Sequence, residues 1–309
     1  MTIRLLDEAT RIELDQAMGQ TEAMKSCGRA LREEIAKGAL IPFIGVYDVF
    51  SSALAARHYS GLFQSGFGFA ASHYGLPDIG FIAWSDLVAF VHRVRALLPR
   101  CHLLVDIDDG YGDPEIACHV VALLEAAGAS GVVLEDQQRP RRCGHLDGKQ
   151  LLPLDAYLTK LRRVLDTRRE MVVVARTDAS DPTEIRERVR AFEAAGADAI
   201  LVDGVRDLDL ITRLKAEVSR PLAFNLIAGG KSPRSSLKEL SLVGVSLAIY
   251  STPCLFAAQA AIDGALQRLK EADGVLPDCD AERAVGLKEC VAVLHENLAR
   301  RAEHGTEDA

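Results

Sequence analysis

The 309 residues, 49% of them hydrophobic, suffice to bury one large core, and a single large domain is expected. Formal charge is −8, from 36 basic against 44 acidic residues, which argues against a general nucleic-acid or anionic-membrane surface but leaves small anions as ligands through local positive charge. Seven cysteines without CxxC spacing, and no apolar stretch approaching ~20 residues, point to a soluble protein of a reducing cytoplasm rather than a disulfide framework, a structural zinc site, a secreted chain or a membrane span.

Residues 1–38 read as a charged, amphipathic, helical N-terminal extension. Eight short apolar runs that read as buried strands then recur, at 40–46, 61–64, 102–106, 131–135, 171–175, 199–203, 221–225 and 246–249. Helical stretches such as 115–127 and 182–195 separate them, the pattern of a parallel sheet covered on both faces. Eight units favour closure into a (β/α)8 TIM-type barrel, class α/β, over a doubly wound sheet. Glu125-Ala-Ala-Gly-Ala-Ser-Gly-Val-Val-Leu-Glu135 echoes Glu193-Ala-Ala-Gly-Ala-Asp-Ala-Ile-Leu-Val-Asp203, each a helix end, a glycine stop and a strand closing on a carboxylate. The barrel is expected over 39–262, with additional C-terminal helices over 263–309 that break around 274–279.

In such a barrel the site lies where strands end. The residues closing the runs are Tyr47 and Asp48, Ser65 and Gly66, Asp106 and Asp108, Glu135 and Asp136, Arg176 and Asp178, Asp203, Asn225, and Tyr250 with Ser251. Asp106-Ile-Asp108-Asp-Gly-Tyr-Gly112 suits magnesium or manganese by its oxygen ligands, although an Asp/Gly-rich turn alone would look the same. Glu135 on the next strand end favours the metal, because converging carboxylates need a compensating cation.

The basic loop Arg139-Pro-Arg-Arg-Cys143-Gly-His145-Leu-Asp-Gly-Lys149 follows Glu135, and its charge would attract anionic substrates. Cys143, between Arg142 and His145, is expected to have a thiol pKa below ~8.5 and to exchange protons near neutrality; the competing reading is a solvated loop with an incidental cysteine. Cys27, Cys101, Cys118, Cys254, Cys279 and Cys290 read as helix or core residues, and the histidines other than His145 show no ligand spacing. Arg176 could clamp a carboxylate bidentately or form a structural ion pair with Asp178, Asp203 or Glu135.

Ser65-Gly66, Gly75-Leu-Pro-Asp78, Asp106-Ile-Asp108-Asp-Gly-Tyr-Gly112, Glu135-Asp-Gln137, Arg142-Cys-Gly-His145, Arg176-Thr-Asp178 and Gly229-Gly-Lys-Ser-Pro233 occur in this order. Jointly they are specific, and from about residue 42 to 262 the sequence resembles the isocitrate lyase/phosphoenolpyruvate mutase superfamily. Within it the chain looks closest to the short branch of methylisocitrate lyase, dimethylmalate lyase, oxaloacetate hydrolase and carboxyphosphonoenolpyruvate phosphonomutase. The resemblance implies a Mg2+ ion, with Mn2+ as the alternative, on Asp106, with Asp78, Asp108 and Glu135 around it through water. Ser65, Gly66 and Phe67 would bind a substrate carboxylate, Gly144, Arg176, Asp203, Asn225 and Ser251 would face the substrate, and Cys143, His145 and Arg176 would form the catalytic group. Cys143-Gly144-His145 resembles a mobile lid, whose cysteine in the lyases protonates the carbanion left by a reverse aldol-type cleavage. A glycine-flanked lid can deliver such an acid without water. Phosphoenolpyruvate mutases of the superfamily lack the Arg-Cys-Gly-His signature, which disfavours phosphoryl migration.

Three departures stand out. Phe63 occupies the position of a methylisocitrate lyase tyrosine, Asp203-Gly204 stands for the usual Glu-Ala, and Tyr250-Ser251-Thr252 replaces tyrosine-proline. The expected function is a Mg-dependent carbon-carbon lyase acting on a methylisocitrate- or dimethylmalate-like 2-hydroxy di- or tricarboxylate. The alternatives are an oxaloacetate-type hydrolase or decarboxylase, a phosphonomutase-like enzyme, and a non-catalytic oxo-acid-binding homologue. The expected partners are a small anionic carboxylate and further copies of the chain, as a tetramer or a dimer, with no nucleic acid and no membrane.

Overall fold

The computed structural model describes residues 26–276 and 285–305; the greater part of the expected N-terminal extension, and Cys279, lie outside them. After helix α1 (Cys27–Ala36), eight parallel strands close in sequence order into one barrel: β1 (Ile41–Val46), β2 (Gly61–Gln64), β3 (His102–Asp106), β4 (Gly131–Glu135), β5 (Val172–Thr177), β6 (Ala199–Val202), β7 (Leu222–Leu226) and β8 (Val245–Tyr250). All eight expected strands form, within two residues at either end. Helices α2 (Val49–Ala55), α3 (Trp84–Arg95), α4 (Pro114–Ala126), α5 (Leu154–Thr167), α6 (Pro182–Ala195), α7 (Leu208–Glu217) and α8 (Leu237–Leu242) cover the barrel, and α9 (Pro253–Glu271) and α10 (Leu287–Gly305) follow it.

Two apolar layers account for the closure. Phe43, Phe63, Leu104, Val133, Val174, Leu201 and Leu247 point into the barrel, which Leu31 of α1 plugs from below, while the alternate strand residues pack outward against the helices. Phe63 is therefore an interior packing residue with no hydroxyl to offer the site. The two echoed segments behave as their sequences indicate: Gly128 and Gly196 follow α4 and α6 at φ 94° and 96°, a conformation a side chain would strain, and end those helices before β4 and β6.

Strand register sets the site. Glu135 lies level with Arg176 on β5, and Asn225 with Ile249 on β8, so polar residues after each strand meet at one mouth of the barrel. Asp48 is drawn away from it, accepting from Ser51 N–H at 2.6 Å as the cap of α2. Asp136 likewise points outward, to Arg188 Nη1 at 3.1 Å. Helix α9 runs unbroken across residue 262, has no buried side chain, and exposes Ile262 and Leu266. No helix among the described residues is long and apolar enough to cross a membrane.

Candidate active site

At the C-terminal mouth a cavity of ≈ 20 Å³ is lined by Ser65, Phe67, Asp78, Asp106, Cys143, Gly144, Arg176, Asp203, Asn225, Ser251 and Ile227. All but Ile227 were expected from the sequence. The volume holds about one water, which needs roughly 10–15 Å³, and is too small for a larger molecule. A hollow of ≈ 320 Å³ nearby shares only Asp203 with it and lacks the carboxylate cluster, so size does not identify the chemistry here.

Ser65 caps the short turn Gly66–Phe69 after β2, its Oγ accepting from Gly68 N–H at 3.0 Å, and Ser65 and Phe67 line the cavity. The turn's approach is close: a methyl on Gly66 would come within 2.8 Å of Asp106 Oδ2. After β3 the chain turns sharply, with Asp108 at φ 51°, and Asp108 N–H donates to Asp106 Oδ1 at 3.1 Å. Asp106, Asp108, Glu135 and Asp78 are all buried there.

Burial raises the carboxyl of Asp106 above the usual range, lifts Asp108 to about 8, and holds Glu135 well above its ordinary value. The nearby guanidiniums of Arg141 and Arg176 pull downward without reversing these shifts, so burial disfavours the ionised form of these carboxyls unless a further cation compensates. Asp108 Oδ1, 3.1 Å from Arg141 Nη1, still accepts no well-formed hydrogen bond. This donor set fits a divalent cation. No group of three His, Cys, Asp or Glu among the described residues forms a ready cage of direct ligands.

Arg176 forms ion pairs with Asp203 at 2.7 Å, Asp178 at 3.0 Å and Glu135 at 3.3 Å, so the structural reading of this arginine holds alongside its exposure to the cavity. Burial alone would raise Asp203, but Arg176, His145 and Asn225 outweigh it and hold the carboxyl below the usual range. Asn225 donates to Asp203 Oδ1 at 2.9 Å and accepts from the Ser251 hydroxyl at 2.6 Å. His145 Nδ1 accepts from Lys231 N–H at 2.9 Å, which leaves the ring proton on Nε2, 3.3 Å from Asp203 Oδ1. The 3.4 Å approach of Asn225 Nδ2 to His145 Nε2 then sets two donors side by side and is no hydrogen bond.

Two expectations about the basic loop are corrected. Its cations do not reach for substrate: Arg139 pairs with Asp109 at 2.9 Å, Arg142 donates to Arg141 O at 2.9 Å, and Arg141, 1% exposed, is spent on Asp78, Asp108 and Glu135. Nor is the Cys143 thiol acidified. Burial, with the carboxylates of Asp78 and Asp203, pushes it up to about 12, because Arg142 turns away and the groups that face the sulfur come from other strand ends. Cys143 is therefore held protonated at neutral pH.

The sequence reading gave no individual role to Arg141, Gln137 or Lys231. Gln137 holds the loop by accepting from Arg142 N–H at 2.8 Å and donating to Arg142 O at 2.7 Å, and Lys231 Nζ reaches Asp147 at 2.7 Å and Leu146 O at 3.2 Å. Gly229-Gly-Lys-Ser-Pro233 thus clasps the lid, a role its sequence alone did not signal.

An acidic barrel mouth under a thiol-bearing lid defines a class of enzyme, and comparison with known proteins agrees. Residues 31–270 match the family model described as phosphoenolpyruvate phosphomutase, and the chain belongs to that family, the PEP mutase/isocitrate lyase superfamily of lyases and mutases. It is 31% identical over 242 residues to the petal death protein of Dianthus caryophyllus, covering 76% of each chain. It is 30% identical over 254 residues to a 2-methylisocitrate lyase of Aeropyrum pernix, covering 81% of this chain and 82% of that one. Among solved structures it resembles oxaloacetate acetylhydrolase in complex with 3,3-difluorooxalacetate, at TM-score 0.83 and 30% identity over 91% of this chain and 97% of that chain. It also resembles phosphonopyruvate hydrolase in complex with oxalate and Mg2+, at TM-score 0.77 and 25% identity over 90% and 98%.

Proposed function

We propose that the chain is a magnesium-dependent carbon-carbon lyase that cleaves a 2-hydroxy di- or tricarboxylate of the methylisocitrate or dimethylmalate kind into a 2-oxo acid and a second carboxylic acid. The observation that carries this reading is the placement of the Cys143 thiol, 8% exposed, against the cavity that Asp106, Arg176 and Ser65 also line, where burial favours its neutral form. A neutral thiol is a proton donor, and cleavage leaves a carbanion that needs one.

Asp106 would hold the ion directly and Asp78, Asp108 and Glu135 through water. When bound, the ion stabilises the negative charge that develops on the oxo-acid oxygens. The N–H groups of Gly66 and Phe67 with Ser65 would take a substrate carboxylate, and Arg176, fixed by three carboxylates, would face its oxygens without needing to reorganise. Gly144 packs on Arg176 and Asp203, so lid closure would exclude water while Cys143 gives up its proton. His145, oriented by Lys231 and Asp203, would hold that end of the lid.

The Ser251 hydroxyl favours one second reading, hydrolysis of an oxaloacetate-like diacid, because it adds a hydrogen-bonding group to the cavity where proline offers none. Incubating the enzyme with a panel of candidate acids and Mg2+, with and without chelation, and weighing the products separates the two. The lyase reading expects a 2-oxo acid from a 2-hydroxy acid, lost on chelation; oxalate and acetate from oxaloacetate alone would replace it. We further propose a cytoplasmic homo-oligomer in which the apolar faces of α9 and α10, including Leu266 and Leu298, meet neighbouring copies.

A further inference from the structure

We infer that Arg141 is a positioning residue, the latch that fastens the lid to the carboxylate cluster and so holds Cys143 against the cavity. Its backbone belongs to the lid, two residues before Cys143, yet its guanidinium is buried, 1% exposed, among three carboxylates. Nε lies 2.6 Å from Glu135 Oε1 at the end of β4, Nη2 3.3 Å from Glu135 Oε2, and Nη1 3.1 Å from Asp108 after β3, with a further hydrogen bond to Asp78 in the segment after β2. One side chain thus ties the lid to the end of β4 and to the segments that follow β2 and β3. The turn after Asp78 folds over its stem: Gly80 stands at φ 86°, and a methyl there would come within 3.3 Å of Arg141 Cγ.

The other ties of the lid are weaker or lie farther along it. Arg139 is 43% exposed at the loop's start, the Lys231–Asp147 pair is open to solvent on the aspartate side, and Gln137, which also donates to Asp178 Oδ2 at 3.1 Å, is a neutral group that meets the loop only through the backbone of Arg142. A buried cation among three carboxylates is costly to withdraw, since each group it leaves stays desolvated and unpaired. The planar fork serves two carboxylates through different nitrogens, which a lysine ammonium cannot reproduce from one point. Arg141 touches neither the cavity nor Cys143, so its effect on the thiol runs through the position of the lid.

The latch rests on the proposed function only in naming Cys143 as the proton donor, and its test needs neither substrate nor turnover. Alkylation of Cys143 by iodoacetamide in the full-length protein, followed by peptide mass mapping, reads lid opening. Arg141→Met is expected to speed Cys143 labelling by tenfold or more while labelling of Cys118 stays unchanged, and Arg141→Lys to restore part of the protection. Loss of a neighbouring positive charge would by itself disfavour the thiolate and slow the reaction, so acceleration reports exposure. Asp78→Asn, which leaves Arg141 in place with one partner weakened, is expected to give an intermediate rate and serves should Arg141→Met fail to fold. Unchanged Cys143 labelling in Arg141→Met, or in Asp78→Asn if the first variant does not fold, overturns the latch. Titration of the wild type with Mg2+ alone is read separately: absence of binding counts against the magnesium-dependent reading while the labelling ratio still decides the latch.

Discussion

A methyl group at Gly144 is the smallest change that should keep the lid from closing. Its Cβ would stand 2.5 Å from Arg176 Nη2 and 2.5 Å from Asp178 Oδ1, and closer still to the Asp203 carboxylate. Ordinary contact begins near ~3.5 Å, so the lid must retreat by roughly 1 Å, because the three groups below are locked to one another by buried ion pairs. A misplacement of about 1 Å in a catalytic group costs on the order of 100-fold, or about 2.7 kcal/mol of transition-state stabilisation. Gly144 has no left-handed backbone to strain, and the loop is no part of the barrel core, so the melting temperature should hardly move. Steady-state kinetics of Gly144→Ala on whichever acid the wild type cleaves best, beside a thermal melt, is the assay. Wild-type kcat/KM in Gly144→Ala would refute the closed-lid geometry as the reactive one.

Three other outcomes follow from the same contacts. Arg176→Met leaves Asp203, Asp178 and Glu135 without their shared guanidinium and should lower unfolding stability by about 3–5 kcal/mol, read from urea denaturation; a loss under about 1 kcal/mol would mean the three pairs contribute little. Burial and the nearby Asp178 raise Asp136 to about 6 from an ordinary 3.8, so the folded state holds this proton where the unfolded chain releases it. Its contribution is greatest below 3.8 and declines as pH rises through 6, by on the order of 3 kcal/mol. Asp136→Asn should remove that decline between pH 4 and 7, and parallel stability profiles for variant and wild type would contradict the assignment. Ser251→Pro deletes the hydroxyl that binds Asn225 and should shift the ratio of kcat/KM values toward the bulkier 2-hydroxy acids by about tenfold; an unchanged ratio would remove Ser251 from substrate selection.

The barrel was legible because each strand is a run of apolar residues buried on both faces, so its boundaries coincide with changes in polarity. His102–Asp106 and Gly131–Glu135 are bounded in this way at both ends. The residues lining the cavity were legible for a related reason, since the polar residue that ends an apolar run is carried to the mouth by the strand itself. The ion pairs of Arg176 with Asp178, Asp203 and Glu135 were one of two readings the sequence offered, but the pairings of the loop arginines were not legible. Arg141 looks like one of three arginines on a solvated loop until the fold brings Asp78, Asp108 and Glu135, from three other places in the chain, around its guanidinium. The error over Cys143 has the same origin: Arg142 and His145 are its neighbours in sequence, but the charges that set its proton affinity are Asp78 and Asp203. Asp48 and Asp136 end apolar runs as Glu135 does, and only the helix cap and Arg188 reveal that both serve the scaffold.

The central claim is that a protonated cysteine on a closing lid quenches the carbanion formed at a carboxylate-held ion. Turnover and ligand affinity of Cys143→Ser, measured in parallel on the acid that the wild type cleaves and on oxalate in the presence of Mg2+, test it most directly. Retained oxalate binding with turnover reduced by 10³-fold or more is the expected result, in line with the loss of a positioned general acid. Undiminished turnover would remove the thiol from the chemistry and leave the lid without its assigned purpose.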